Sequence, residues 1–221
     1  MSGTIRLENP GPAWLEVPED LPDDVATEWV DAVTEWLRQS WGDAWGERAA
    51  AMVPPMLRGS LAERPDAHYV FEVWPLFQPV RLRVQISMLD ASTMPDWEAA
   101  GYSVVSYDDA PVGPGLQCVR MEDLQGEVEA TFVEWRAVFT SGEVALSVLV
   151  EPTPVELLNL VLPSLHAMIG TLEVTLPNGS EFRAEPTEYA MVGDDITWPG
   201  LRLQEAGLLP EEPDGDVEGA R

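Results

Sequence analysis

The sequence predicts an α+β protein whose centre is a mostly antiparallel β-sheet flanked by helices. Three observations carry this reading. Apolar residues recur at three- and four-residue spacing up to about residue 63, then alternate with period two from residue 67. Four strand-like runs follow one another as a meander between 102 and 150. One apolar helical run at 153–169 comes last and leads straight into a further alternating strand. Helices, then a meander, then one helix and one strand is the order of an α+β sheet, not of repeated βαβ units.

Residues 1–13 are rich in Pro and Gly and read as extended, and Trp14-Leu15-Glu16-Val17 reads as a short strand. Pro22 suits a first helical position, and Asp23 and Asp24 suit the positive end of a helix. The helix over 23–41 places Val25, Trp29, Val30, Val33, Trp36, Leu37 and Trp41 on a wide apolar stripe, with Glu28, Asp31, Glu35 and Arg38 facing away. Gly42 ends it, and Asp43 is placed to cap the next helical stretch at 44–63. That stretch keeps the helical period, but Pro54-Pro55 should divide it into two shorter helices.

Residues 68–76 are aromatic and β-branched, and Phe77-Gln78-Pro79 connects them to a strand at 80–88. In that strand even positions are apolar and odd positions polar, so one face is buried and the other carries Arg81 and Arg83. Residues 90–100 form a loop or short helix around Trp97. Strands follow at 102–107, 116–121, 128–140 and 143–150, the last two joined by Ser141-Gly142 as a hairpin link. The polar phase of the long strand changes near Glu134, which predicts a bulge. Thr153 and Glu156 have the spacing of a capping box for the last helix, Pro163 should kink it, and Gly170 should end it. Residues 171–176 alternate as a strand, which completes a domain over 1–176. Beyond it, 177–221 is a turn-rich acidic extension that Trp198, Leu201, Leu203, Leu208 and Leu209 could latch to the body, with about the last 11 residues disordered.

Several of these features together resemble the Mog1/PsbP-like fold, which sets a curved antiparallel sheet between helices. They are Trp14-Leu15-Glu16-Val17 before the first helix, the meander from 102 to 150, and the 153–169 helix leading directly into Thr171-Leu172-Glu173-Val174. The resemblance is one of layout over residues 14–176. The double-proline stretch at 44–63 and the 177–221 extension depart from it. It implies a protein that binds other proteins or assists assemblies, and it carries over no functional residue.

Composition narrows the function classes. The chain has 221 residues, enough to bury roughly 70% of its unfolded surface without a disulfide or metal. It carries 39 acidic residues against 12 basic ones, all arginine, for a net charge of −27. Residues 177–221 contribute −8 of this, so 1–176 carries −19. Such a surface repels nucleic acid and anionic lipid and attracts basic partners, or simply keeps the protein in solution. The arginine-only, Ala-, Pro- and Trp-rich composition points to a GC-rich bacterial genome. No apolar leader and no run of about 20 apolar residues is present, so the reading is cytoplasmic.

No chemical signature stands out. Cys118 lies in a predicted strand and reads as a small core residue. His68 and His166 are too few for a zinc site without a coincidence of fold. There is no G-x-S-x-G elbow. The loop Asp108-Asp109-Ala110-Pro111-Val112-Gly113-Pro114-Gly115 has no Lys and reads as a connection. The pairs Asp108-Asp109 and Asp194-Asp195 could at most hold a cation weakly. Asn178-Gly179-Ser180 reads as a turn.

Two groupings remain. Trp29, Trp36 and Val33 share one helical face, either as helix-to-sheet core or as an exposed aromatic patch for a partner. Trp74, Arg81, Arg83 and Trp135 would place arginines beside indoles if their strands are neighbours, a surface for an acidic peptide or ligand. Alternatively the arginines pair with Glu72, Glu129 or Glu134. The expectation is therefore a non-enzymatic protein-interaction or assembly-accessory module, without cofactor, with a basic protein partner. Two other readings stay open. One is a small-molecule-binding domain or enzyme with its site near Trp74, Arg83 and Trp135. The other is a self-assembling protein using the 154–170 helix as a homodimer face.

Overall fold

The computed structural model describes residues 3–124 and 130–186, with no description of the Leu124 side chain. Glu129, Asp194-Asp195, the latch residues from Trp198 to Leu209 and the stretch 211–221 lie outside the described residues. Among the described residues, no helix is long and apolar enough to cross a membrane.

The protein is α+β. In chain order it contains β1 (Thr4–Arg6), β2 (Trp14–Glu16), α1 (Asp23–Trp41), α2 (Glu47–Ala62), β3 (Tyr69–Val73), β4 (Leu82–Asp90), β5 (Ser103–Tyr107), β6 (Gly115–Leu124), β7 (Ala130–Ser141), β8 (Val144–Pro154), α3 (Val155–Ile169) and β9 (Glu173–Thr175). Seven strands form one sheet in the order β2-β3-β4-β8-β7-β6-β5, every neighbour antiparallel. β1 and β9 pair separately.

Register and pleat sort the side chains onto two faces. Phe71, Val84, Val150, Trp135 and Val119 are cross-strand neighbours in one row. Ile86, Val148 and Ala137 form the next, and Met88, Leu146 and Phe139 a third. This apolar face is covered by α3, which packs on β7 and β8 through a helix that buries Val155, Leu157, Leu158, Val161, Leu165, Met168 and Ile169. The Trp14 indole N–H, on the same face, donates to Ser164 Oγ of α3 at 3.2 Å.

Among the described residues, the opposite face is covered at its ends. At the β2–β3 end sits the α1–α2 hairpin, whose Val30, Leu37, Trp41, Ala49, Val53 and Leu57 form a core with Trp74 and Leu15. At the β5–β7 end Trp97 packs with Tyr102, Val104, Leu116, Cys118 and Val138. Between them β4, β8 and β7 present a mostly polar strip, with Arg83, Gln85, Ser87, Ser147 and Arg136 around Leu149.

Local expectations fail where tertiary structure intervenes. α2 is one helix that runs through Pro54 and Pro55. The prolines leave the carbonyls of Ala50 and Ala51 without their helical donors, and both residues face solvent, where those oxygens can be hydrated. Buried Ala49, Val53 and Leu57 on the other side hold the helix together. Asp43 lies in a short 3₁₀ turn, Gly42–Ala44, and the N-cap of α2 is Gly46. The capping box at Thr153 does not form: β8 continues to Pro154, Thr153 pairs with Val133 of β7, and Pro154 caps α3 without a side-chain hydrogen bond. The expected bulge is present as a register shift between Val133 and Trp135.

The chain stays fixed to the body after β9. Asn178-Gly179-Ser180 is a tight turn with Gly179 at φ 82°, and Asn178 Oδ1 accepts from the Ser180 N–H at 2.9 Å. Phe182 is buried, its N–H donating to the Val174 carbonyl, and the Ala184 N–H donates to the Val112 carbonyl.

Candidate functional site

The predicted cluster of Trp74, Arg81, Arg83 and Trp135 is not assembled. Trp135 shares its row with Val84, so it lies on the α3 face, whereas Arg83 is one residue along β4 and projects from the other. The bulge at Glu134 gives Trp135 the phase of the apolar residues. It is fully buried, in ring contact with Tyr107 and His166 at centroid distances of 6.4 and 5.9 Å. Trp74 is buried against Trp41, centroids 5.8 Å apart.

Arg81 and Arg83 instead serve an internal charge. Glu72 is fully buried on β3, directly across from Arg83. Arg83 Nε donates to Glu72 Oε1 at 2.9 Å, and Arg81 Nη1 donates to the other oxygen. Arg83 Nη1 also donates to the Glu63 carbonyl at 3.2 Å and lies 3.6 Å from Glu151, so it ties the end of the helical hairpin to the sheet. A buried carboxylate demands such compensation, and two guanidiniums supply it.

A second network, not anticipated as a unit, stands at the other end of the strip. Glu134 accepts from the Tyr102 hydroxyl at 2.6 Å, Arg120 Nη2 at 2.7 Å and Arg136 Nε at 2.9 Å. Arg120 lies over the Tyr102 ring at 5.0 Å and Arg136 over the Trp97 ring at 5.4 Å. Burial disfavours the Glu134 charge, but the hydrogen bonds from Tyr102 and Arg136 outweigh it and hold the carboxyl below its ordinary value. The sequence signal was Glu134 and Arg136 flanking a tryptophan at the phase change. Only the fold brings Arg120 and Tyr102 to them.

Each of these four arginines is engaged by a carboxylate, Arg81 and Arg83 by Glu72 and Arg120 and Arg136 by Glu134. The remaining chemical candidates are also quiet. Burial pushes the Cys118 thiol up to about 12, so it is no nucleophile at neutral pH. His166 is held below its ordinary value by burial, with Asp109 opposing. Among the described residues no three His, Cys, Asp or Glu side chains form a metal-binding group. A shallow cavity of about 230 Å³ opens beside Trp97, lined by Met94, Pro95, Asp96, Leu116, Val138 and Thr140.

The α1–α2 hairpin presents the more unusual surface. Trp29 and Val33 are only partly buried, Val25 and Trp36 are 40% and 38% exposed, and Met52 of α2 is 37% exposed. At 100° per residue, positions 25, 29, 33 and 36 fall within an 80° arc of α1, adjacent to the buried stripe of Val30, Leu37 and Trp41. On the other flank, Asp24, Glu28 and Asp31 form an exposed acidic row, while Glu35 beside them is paired with Arg38 at 2.6 Å. Trp29 and Val33 rest against the core while Trp36 does not. On α3, Leu160 is 54% exposed on the side away from the sheet. No protein-family model matches the sequence, and no curated protein or solved structure matches it either.

Proposed function

We propose that this chain is a non-enzymatic protein-interaction or assembly-accessory module that receives a basic, amphipathic partner on its α1–α2 hairpin. The observation that carries this reading is the Val25–Trp29–Val33–Trp36 stripe, exposed at Val25 and Trp36, running beside the acidic row of Asp24, Glu28 and Asp31. An exposed tryptophan on a rigid helix, Trp36 here, contributes large contact area at small entropic cost, which is how energetic centres of interfaces are built. The carboxylates beside the stripe reject acidic partners and steer basic ones, in keeping with the −27 charge of the whole chain. A sheet with helices on both faces is also what a Mog1/PsbP-like body has, and we propose that relation on layout alone.

The test is affinity purification of the tagged protein from its native host at moderate salt, run in parallel with Trp36→Ala. A near-stoichiometric partner with a basic segment, lost on Trp36→Ala while the circular dichroism spectrum is unchanged, supports the reading. Equal recovery on both baits removes the hairpin from the account. A second reading, a small-molecule site, rests on the cavity beside Trp97. Its test is quenching of tryptophan fluorescence across a metabolite panel, abolished by Val138→Trp, which would fill the cavity.

A further inference from the structure

The two edges of the seven-stranded sheet differ in a way that implies a second docking site. β2 is three residues long and lies between Pro12 and Pro18, a short, proline-bracketed edge of the kind that discourages strand addition. β5, Ser103-Val104-Val105-Ser106-Tyr107, is five residues long and contains no charge, no proline and no glycine. Nearly a quarter of the chain is charged, so an uncharged edge is a departure from its own surface. Among the described residues, the backbone of β5 bonds only to β6. Ser103 and Ser106 are exposed. Among the described residues the usual devices that blunt an edge are absent, and the outward N–H and C=O groups of a strand about 17 Å long are without a β partner.

Both ends of this edge are acidic. Asp108 and Asp109 follow Tyr107 directly. β6 overhangs the Ser103 end and carries exposed Glu122 and Asp123 there, with exposed Glu98 preceding the strand. Arg120, at the same end, is already held by Glu134. We infer that β5 is the addition site for an extended segment of a partner protein, about five uncharged β-branched or small residues long with Lys or Arg at both ends. Backbone hydrogen bonds supply the affinity and the terminal charges fix the register. A second copy of this chain is a poor occupant. Antiparallel pairing of β5 with itself sets Asp108 and Asp109 of one copy towards Glu98, Glu122 and Asp123 of the other, at separations too short for salt to screen fully. The site is independent of the hairpin.

The experiment pans a random-peptide phage library on the full chain, then measures the enriched peptides by titration and by amide hydrogen exchange. The expected peptides alternate β-branched residues between basic ends, slow exchange at 103–107, and weaken with added salt. The double substitution Ser103→Lys and Ser106→Lys, at two exposed positions, should weaken them at least tenfold with the melting curve retained. Should that variant fail to fold, exchange protection in the wild-type chain still decides the matter. Absence of enrichment, peptides without basic ends, or protection at α1 instead of β5 overturns the inference. So does a concentration-dependent dimer in sedimentation that protects 103–107, which would assign the edge to a second copy.

Discussion

Replacing Glu72 by Gln keeps the shape of the side chain and removes its charge. It leaves Arg81 and Arg83 facing a neutral amide inside the sheet, with Arg83 mostly buried and held to no full counter-charge beyond Glu151 at 3.6 Å. Breaking a buried ion pair from one side costs about 3–5 kcal/mol. Arg81 is partly exposed and keeps some hydration, so about 3 kcal/mol is the expected loss, a large share of the roughly 5–15 kcal/mol that holds a domain together. Arg83→Gln should cost less, about 1–2 kcal/mol, because Arg81 still neutralises Glu72. The triple replacement Glu72→Leu, Arg81→Met and Arg83→Met should return to within about 1 kcal/mol of the wild type, since it removes the charges together and fills the same volume. Urea unfolding reads all three: with a slope of about 2 kcal/mol/M, Glu72→Gln should lower the midpoint by about 1.5 M. An unchanged midpoint for Glu72→Gln would show that the carboxylate contributes no net stability. A triple variant as damaged as the single would show that shape, not charge, is what the site requires.

Three further outcomes follow from named contacts. A Cβ on Gly115 would sit 2.5 Å from the Phe139 ring and 2.7 Å from the Val138 carbonyl, so Gly115→Ala should cost about 1–3 kcal/mol in a thermal melt. Pro55 is exposed within α2, and Pro55→Ala restores a donor to the Ala51 carbonyl. It should stabilise by about 1–2 kcal/mol, read as a higher urea midpoint. Glu134 has its folded pKa below the ordinary 4.5, so the unfolded chain binds its proton first as pH falls. Its stabilising contribution is complete above that ordinary value and is lost as pH drops through the folded one. The stability difference between wild type and Glu134→Gln should therefore be constant from pH 7 to about 5.5 and shrink towards pH 3; a difference independent of pH would contradict the assigned charge state.

How far the sequence reached depended on the range of the interaction. α1 was legible to its ends because the spacing of Val30, Leu37 and Trp41 and the stop at Gly42 are local. The alternation at 80–88 was legible for the same reason, as was the bulge at Glu134, where the phase of the pattern itself changes. The pairing of Glu72 with the arginines was visible only as one of three possible carboxylates. Trp97 with Arg136, and Tyr102 with Glu134 and Arg120, were invisible as contacts, because residues so far apart in sequence (32 positions for Tyr102 and Glu134) meet only through the β5–β6–β7 register.

By itself, then, the sequence determined the α+β class, the periods of its elements and the acidic character of its surface, all properties of neighbouring residues. Tertiary structure decided which face each side chain occupies. The β7 bulge sent Trp135 into the α3 core while Arg83 stayed on the polar strip, so the anticipated arginine–indole site could not form. It decided that Pro54 and Pro55 bend to packing, since buried Ala49, Val53 and Leu57 outweigh two lost helical bonds. It also decided that the sheet ends in the short, proline-bracketed β2 on one side and in the uncharged β5 on the other, because strand order is set by long-range pairing that no local pattern records.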